Sequence, residues 1–77
     1  MEELTATTLE IVYRNEENGY TVATIEAGDA VHTAVGMLPG LREGERVVLT
    51  GEWTIHAVYG QQFRVSMCRL LPPDSRE

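Results

Sequence analysis

Residues 8–26 read TLEIVYR-NEENG-YTVATIE, two runs rich in Val, Ile, Tyr and Thr around a polar pentapeptide that ends in glycine. β-branched and aromatic side chains suit a pleated, half-buried surface, and a short Gly-containing break between two such runs marks a hairpin loop. Strand periodicity places Leu9, Ile11 and Tyr13 on one face and Glu10, Val12 and Arg14 on the other. Asn18-Gly19 supplies the residues that best tolerate positive φ where the chain reverses. Every later strand has to find a place beside this ribbon.

Three more alternating runs follow. Ala30 to Met37 (AVHTAVGM) predicts a third strand, with Val31, Thr33, Val35 and Met37 on one face. Small Ala30, Ala34 and Gly36 on its other face permit close approach of a neighbour or sharp coiling. Arg46 to Ile55 (RVVLTGEWTI) predicts a long fourth strand carrying Val47, Leu49, Gly51, Trp53 and Ile55 on one face. Gly51 sits in its middle, where glycine marks a bulge or a tight bend. Gln61 to Leu70 predicts a fifth, with Phe63, Val65 and Met67 together. The intervening Leu38 to Glu45 (LPGLREGE) holds the turn signals Pro39-Gly40 and Gly44 and is too short for an ordinary helix.

Five short strands without a helical period predict an all-β chain, a small closed or partly open five-stranded OB-type barrel with no substantial helix between strands 3 and 4. An SH3-like barrel is the alternative. Closure also removes the edges that an open sheet would have to defend. The expected core is Leu9, Ile11, Val35, Val47, Leu49, Phe63 and Val65. Residues 1–7 read as a frayed lead-in, 8–71 as the barrel, and 72–77 (PPDSRE) as the start of a linker to further domains.

Composition narrows the functional classes. No stretch approaches the ~20 apolar residues of a membrane span, and the acidic, polar start is neither a signal peptide nor a basic presequence. The one cysteine, Cys68, cannot form an intramolecular disulfide, which fits a reducing, cytoplasmic setting. The net charge is −6 and all six basic residues are arginine. An acidic chain is a poor dedicated phosphate binder, although arginine is the cation best suited to bidentate phosphate contacts and to stacking on bases.

Three blocks in order, YRNEENGYTV (Tyr13 to Val22), VGMLPGL-REGE (Val35 to Glu45) and LTGEW with YGQQF (Leu49 to Phe63), resemble one known domain type. They are similar to the OB-fold domain that opens the RecD-like DNA helicases, the longer subfamily acting without RecB and RecC partners. The similarity covers roughly Thr8 to Leu70. It implies a parent that is an ATP-dependent 5′–3′ helicase of DNA repair and recombination, with ATP and magnesium bound by motor domains elsewhere in that parent. It also implies a non-catalytic accessory role for this domain.

The residues present agree that no catalytic constellation is built here. A phosphate-cradling loop needs G-x-x-x-x-G-K-[ST], and Gly40 to Arg46 lacks the lysine and hydroxyl while offering carboxylates. His32, His56 and Cys68 have no paired metal-ligand spacing. Glu16 and Glu17, adjacent in a hairpin tip, read as solvated charges. In an OB barrel the β1–β2 and β4–β5 loops border the ligand groove. The first of these, NEENG, repels phosphate. The second brings His56 and Tyr59, and Arg14, Tyr20 and Arg64 lie at the hairpin ends or on the last strand. These five are the candidate contacts to single-stranded DNA, through base stacking and arginine–phosphate pairing. Tyr13 and Tyr20 also have a structural reading, as an aromatic pair across the hairpin. The alternative function is docking, onto a protein partner or onto the motor domains of the same chain.

Overall fold

The computed structural model describes residues 1–71. Its five strands are β1 (Glu2–Arg14), β2 (Tyr20–Ala27), β3 (Ala30–Met37), β4 (Arg46–His56) and β5 (Gly60–Leu70). They close into a barrel in the order β1-β2-β3-β5-β4, with β1 returning to β4. Neighbours are antiparallel except β3 and β5, which run parallel and meet at Ala34↔Phe63 and Val35↔Arg64. This is the OB-type arrangement, and among the described residues there is no helix.

The turns follow from local chemistry. Asn15 closes the β1–β2 loop with its side chain accepting from the Glu17 amide, and Gly19 takes φ 79° just before β2 begins. A β carbon at Gly19 would also lie 2.9 Å from the Pro39 ring, so the position is constrained twice.

β1 departs from the sequence expectation at both ends of its length. Residues 2–7, expected to fray, are strand: Glu2 to Thr7 pair in register with Gly51 to Arg46 of β4. Leu4 and Ala6 from this stretch pack on the core. The barrel therefore begins before residue 8, and the first half of β1 is what seals it against β4. The expected linker at 72–77 lies outside the described residues.

Farther along β1 the register to β2 slips between Thr8 and Glu10 and again between Ile11 and Tyr13. Each slip leaves one extra residue, and each reverses the face that the next side chain takes. Leu9, expected in the core, is consequently 43% exposed. The inward set becomes Leu4, Ala6, Thr8, Ile11 and Arg14, with Ile11 only half-buried. A third slip, opposite Thr50–Gly51 in β4, leaves Ser66 of β5 without a partner and turns Met67 outward. Val65, just before it, is half-buried rather than buried. Gly51 sits at that slip, where a β carbon would strike the Arg64 carbonyl, so its place mid-strand is a close approach of β4 to β5.

The core proper comprises Ala23, Ile25, Ala34, Val47, Leu49 and Phe63 together with Leu38 and Leu41. Phe63 packs edge-on against Trp53, which in turn meets His32 edge-on, with ring centroids 4.9 Å apart in each case. Small Ala23 and Ala34 leave room for the large Phe63 at the centre of a narrow barrel.

Leu38 and Leu41 come from the β3–β4 loop, which plugs the barrel where no helix is available. Several polar contacts hold that loop. The Leu38 amide donates to the Gly19 carbonyl, the Gly44 amide donates to the Thr8 carbonyl, and the Thr8 amide donates to the Glu45 carbonyl. Arg14, pointing inward, donates to Thr21 Oγ1 at 3.2 Å, to the Leu38 carbonyl at 3.1 Å and to the Leu41 carbonyl. Thr21 Oγ1 also reaches the Gly19 and Leu38 carbonyls, so the buried hydroxyl is fully used.

Candidate functional site

The outward face of β2 and β3 is built from cross-strand rows. Tyr13 of β1 stands opposite Val22 of β2, and Val22 stands opposite Val35 of β3. Beside that row, Tyr20 opens the start of β2 and Thr33 continues β3. The β4–β5 hairpin leans over the same face and contributes His56, Tyr59 and Gln62. Between them lies a groove of about 490 Å³.

Its walls are aromatic. Tyr13 is 52%, Tyr20 38% and Tyr59 74% exposed, so all three rings have a free face. Tyr13 and Tyr20 thus open onto the groove, and Tyr13 faces Val22 rather than Tyr20 across the hairpin. The sequence pointed to Tyr20, His56 and Tyr59 as contacts, and the fold brings these three together. It adds Val12 and Tyr13, the latter turned outward by the second slip of β1.

The two arginines of that expected set stand elsewhere. The Arg14 guanidinium is spent on the β3–β4 loop, as described above. Arg64 lies 3.8 Å from Glu52 in an exposed ion pair and does not line the groove. Parity explains Arg14: counted in strict alternation it falls on the face of Val12, but the intervening slip sends it into the barrel. Among the described residues, no Lys, Arg, Asp or Glu lines the groove. Glu16 and Glu17 lie in the turn between Tyr13 and Tyr20.

The turn that carries Tyr59 is held by its own histidine. β4 and β5 pair up to His56↔Gly60, leaving Ala57, Val58 and Tyr59 as a three-residue connection, with Gly60 at φ 82°. His56 Nδ1 accepts from the Val58 amide at 3.0 Å and from the Tyr59 amide at 3.2 Å. The imidazole lies 4.8 Å from the Tyr59 ring, tilted by 37°.

Elsewhere the polar groups carry no second site. His32 is packed on Trp53, and no cluster of three potential metal ligands exists among the described residues. Cys68 borders a smaller cleft of about 330 Å³ beside Leu38 and Leu41. Burial, with a smaller contribution from the Glu45 carboxylate, pushes its thiol above the ordinary range.

A closed five-stranded barrel with an aromatic groove on its β2–β3 face, bordered by the β1–β2 and β4–β5 turns, is an OB-fold domain, and the groove lies where barrels of this class commonly take ligands. The model of one such family, the OB-fold domain of the ATP-dependent DNA helicase YrrC, matches residues 1–73, and the chain belongs to that family. The resemblance to the N-terminal domain of RecD-like helicases is consistent with this membership. No curated protein and no solved structure matches the chain.

Proposed function

We propose that this domain is a non-catalytic accessory module of a RecD-like 5′–3′ DNA helicase, and that its groove holds a short stretch of single-stranded DNA by base stacking. The observation that supports this is the convergence of Tyr13, Tyr20, His56 and Tyr59 around one open groove on the ligand face of an OB barrel. Each base–aromatic stack contributes ~1–3 kcal/mol irrespective of sequence. With no cation in the groove, phosphates stay in solvent, so binding is weak and only gently dependent on salt. In this reading the parent works in the cytoplasm, and ATP and magnesium belong to its motor domains.

The test is a titration of the domain with fluorescent oligo-dT at several salt concentrations. Weak binding with a slope near that of one phosphate or less is expected (about −0.7 on the logarithmic plot), and Tyr13→Ala with Tyr59→Ala should abolish it. Unchanged amide chemical shifts under excess oligonucleotide at low salt would rule the reading out.

The lack of groove cations, with Glu16 and Glu17 at one end, favours a second reading. Here the same face docks a protein partner or the motor domains of the chain itself. Removing residues 1–71 from the parent would then alter unwinding while leaving DNA-stimulated ATP hydrolysis intact. Equal losses in both would count against docking.

A further inference from the structure

His56 does two things at once in the β4–β5 turn. Its Nδ1 is an acceptor for two successive backbone amides, those of Val58 and Tyr59. A nitrogen that accepts cannot carry a proton, so the ring is the neutral tautomer with its hydrogen on Nε2. The same ring lies against Tyr59, the most exposed of the groove's aromatics. Without that acceptor, the two amides of an exposed three-residue turn have only water to satisfy them. Nothing else among the described side chains bonds to this turn.

We propose that His56 is the positioning residue of the groove, folding the β4–β5 turn so that Tyr59 is presented as a stacking plate only while the imidazole is unprotonated. This rests on the stacking reading and adds to it a residue that acts through another and a dependence on pH. An imidazolium donates from both nitrogens. On taking up its second proton, His56 stops accepting from the two amides, and Tyr59 loses the contact that fixes it.

Among the described residues, no charged side chain lines the groove to compete with this effect. Among the described residues, the titratable groups that line the groove with His56 are the phenols of Tyr13 and Tyr20, from β1 and β2, and Tyr59 itself. β3 and β5 bring only neutral Thr33, Val35 and Gln62. Imidazole is the one side-chain type among these whose ordinary titration falls between about pH 5 and 8. A pH response of the groove in that range therefore belongs to His56.

The experiment pairs an NMR titration of the free domain with oligo-dT binding from about pH 8 to about pH 5.5, for wild type, H56N and H56A. Asparagine places an acceptor oxygen near the position of Nδ1 but does not titrate. In wild type the Val58 and Tyr59 amide resonances should move together with the His56 ring. Oligo-dT affinity should fall about tenfold on acidification, the loss of one stack. H56N should show a flat pH profile in both measurements and bind severalfold more tightly than H56A.

Affinity that rises with acid would overturn the proposal, because the imidazolium would then be acting as a phosphate contact. So would a wild-type turn whose amides ignore the titration of the ring while oligo-dT still binds. A lack of oligo-dT binding at every pH is a different failure. It removes the stacking reading, and with it the ligand that His56 was to serve.

Discussion

Arg14→Ala tests the assignment that departs furthest from a surface reading of the sequence. As a groove residue, Arg14 would govern ligand affinity and leave stability almost untouched. In the structure its guanidinium donates to Thr21 Oγ1 and to the carbonyls of Leu38 and Leu41, tying β1 to the loop that plugs the barrel. Hydrogen bonds to a charged donor contribute ~1.5–3 kcal/mol, and orphaning a buried acceptor costs ~1–3 kcal/mol. The three bonds share one side chain and do not add independently, so truncation should destabilise the domain by roughly 2–4 kcal/mol. For a chain of this size that corresponds to a melting point lower by roughly 10–30 °C. Arg14→Lys should recover only part of the loss, since an ammonium cannot reach three acceptors as a planar fork does. The assay is urea denaturation followed by the fluorescence of Trp53, the single tryptophan, alongside oligo-dT titration at a temperature where the variant is folded. A loss below ~1 kcal/mol, or intact stability with ligand binding abolished, would show that the side chain works in the groove instead.

Other perturbations probe the remaining structural conclusions. Phe63→Ala should cost ~3–5 kcal/mol in urea denaturation, since the side chain is fully buried and its removal leaves a cavity beside Trp53; a change under ~1 kcal/mol would place Phe63 outside the core. A total stability of ~4–12 kcal/mol leaves little margin for that loss in a chain this size. Deleting residues 1–7 removes every β1–β4 pair as well as Leu4 and Ala6, so a loss on the order of 3 kcal/mol or more is expected. A truncated chain as stable as the full one would mean that the stretch frays in solution. Cys68 should alkylate more slowly than an unstructured cysteine peptide at about pH 8, because its thiol titrates above the usual range. Glu45→Gln should restore only part of the rate, burial being the larger cause, and a native rate above the peptide's would contradict this.

Much of the fold was legible in the chain itself, for local reasons. β-branched and aromatic runs separated by Asn-Gly, Gly-Asp and Pro-Gly breaks dictate five strands and leave no helical period anywhere. The apolar positions Val47, Leu49 and Phe63 lie on the inward faces that alternation gives them, and all three are fully buried. Gly51, in mid-strand, marked a bulge or tight bend, and a register slip falls there. That Tyr20, His56 and Tyr59 fall around one groove was readable too, because each sits at the edge of a turn whose place in an OB barrel is set by strand order.

What the tertiary structure alone decided is register and closure. A slip adds one residue without changing composition, yet it inverts the face of everything after it, which is why Leu9 emerges at the surface and Arg14 disappears inside. The polar stretch 2–7 has no strong strand signal of its own. It becomes strand because β4 offers an unpaired edge along Arg46 to Gly51, and closure satisfies both backbones at once. Leu38 and Leu41 lie in a segment whose Gly and Pro mark it as loop, and only the open end of the barrel makes them core. Pairing between distant strands is a property of the assembled sheet, so no window of sequence contains it.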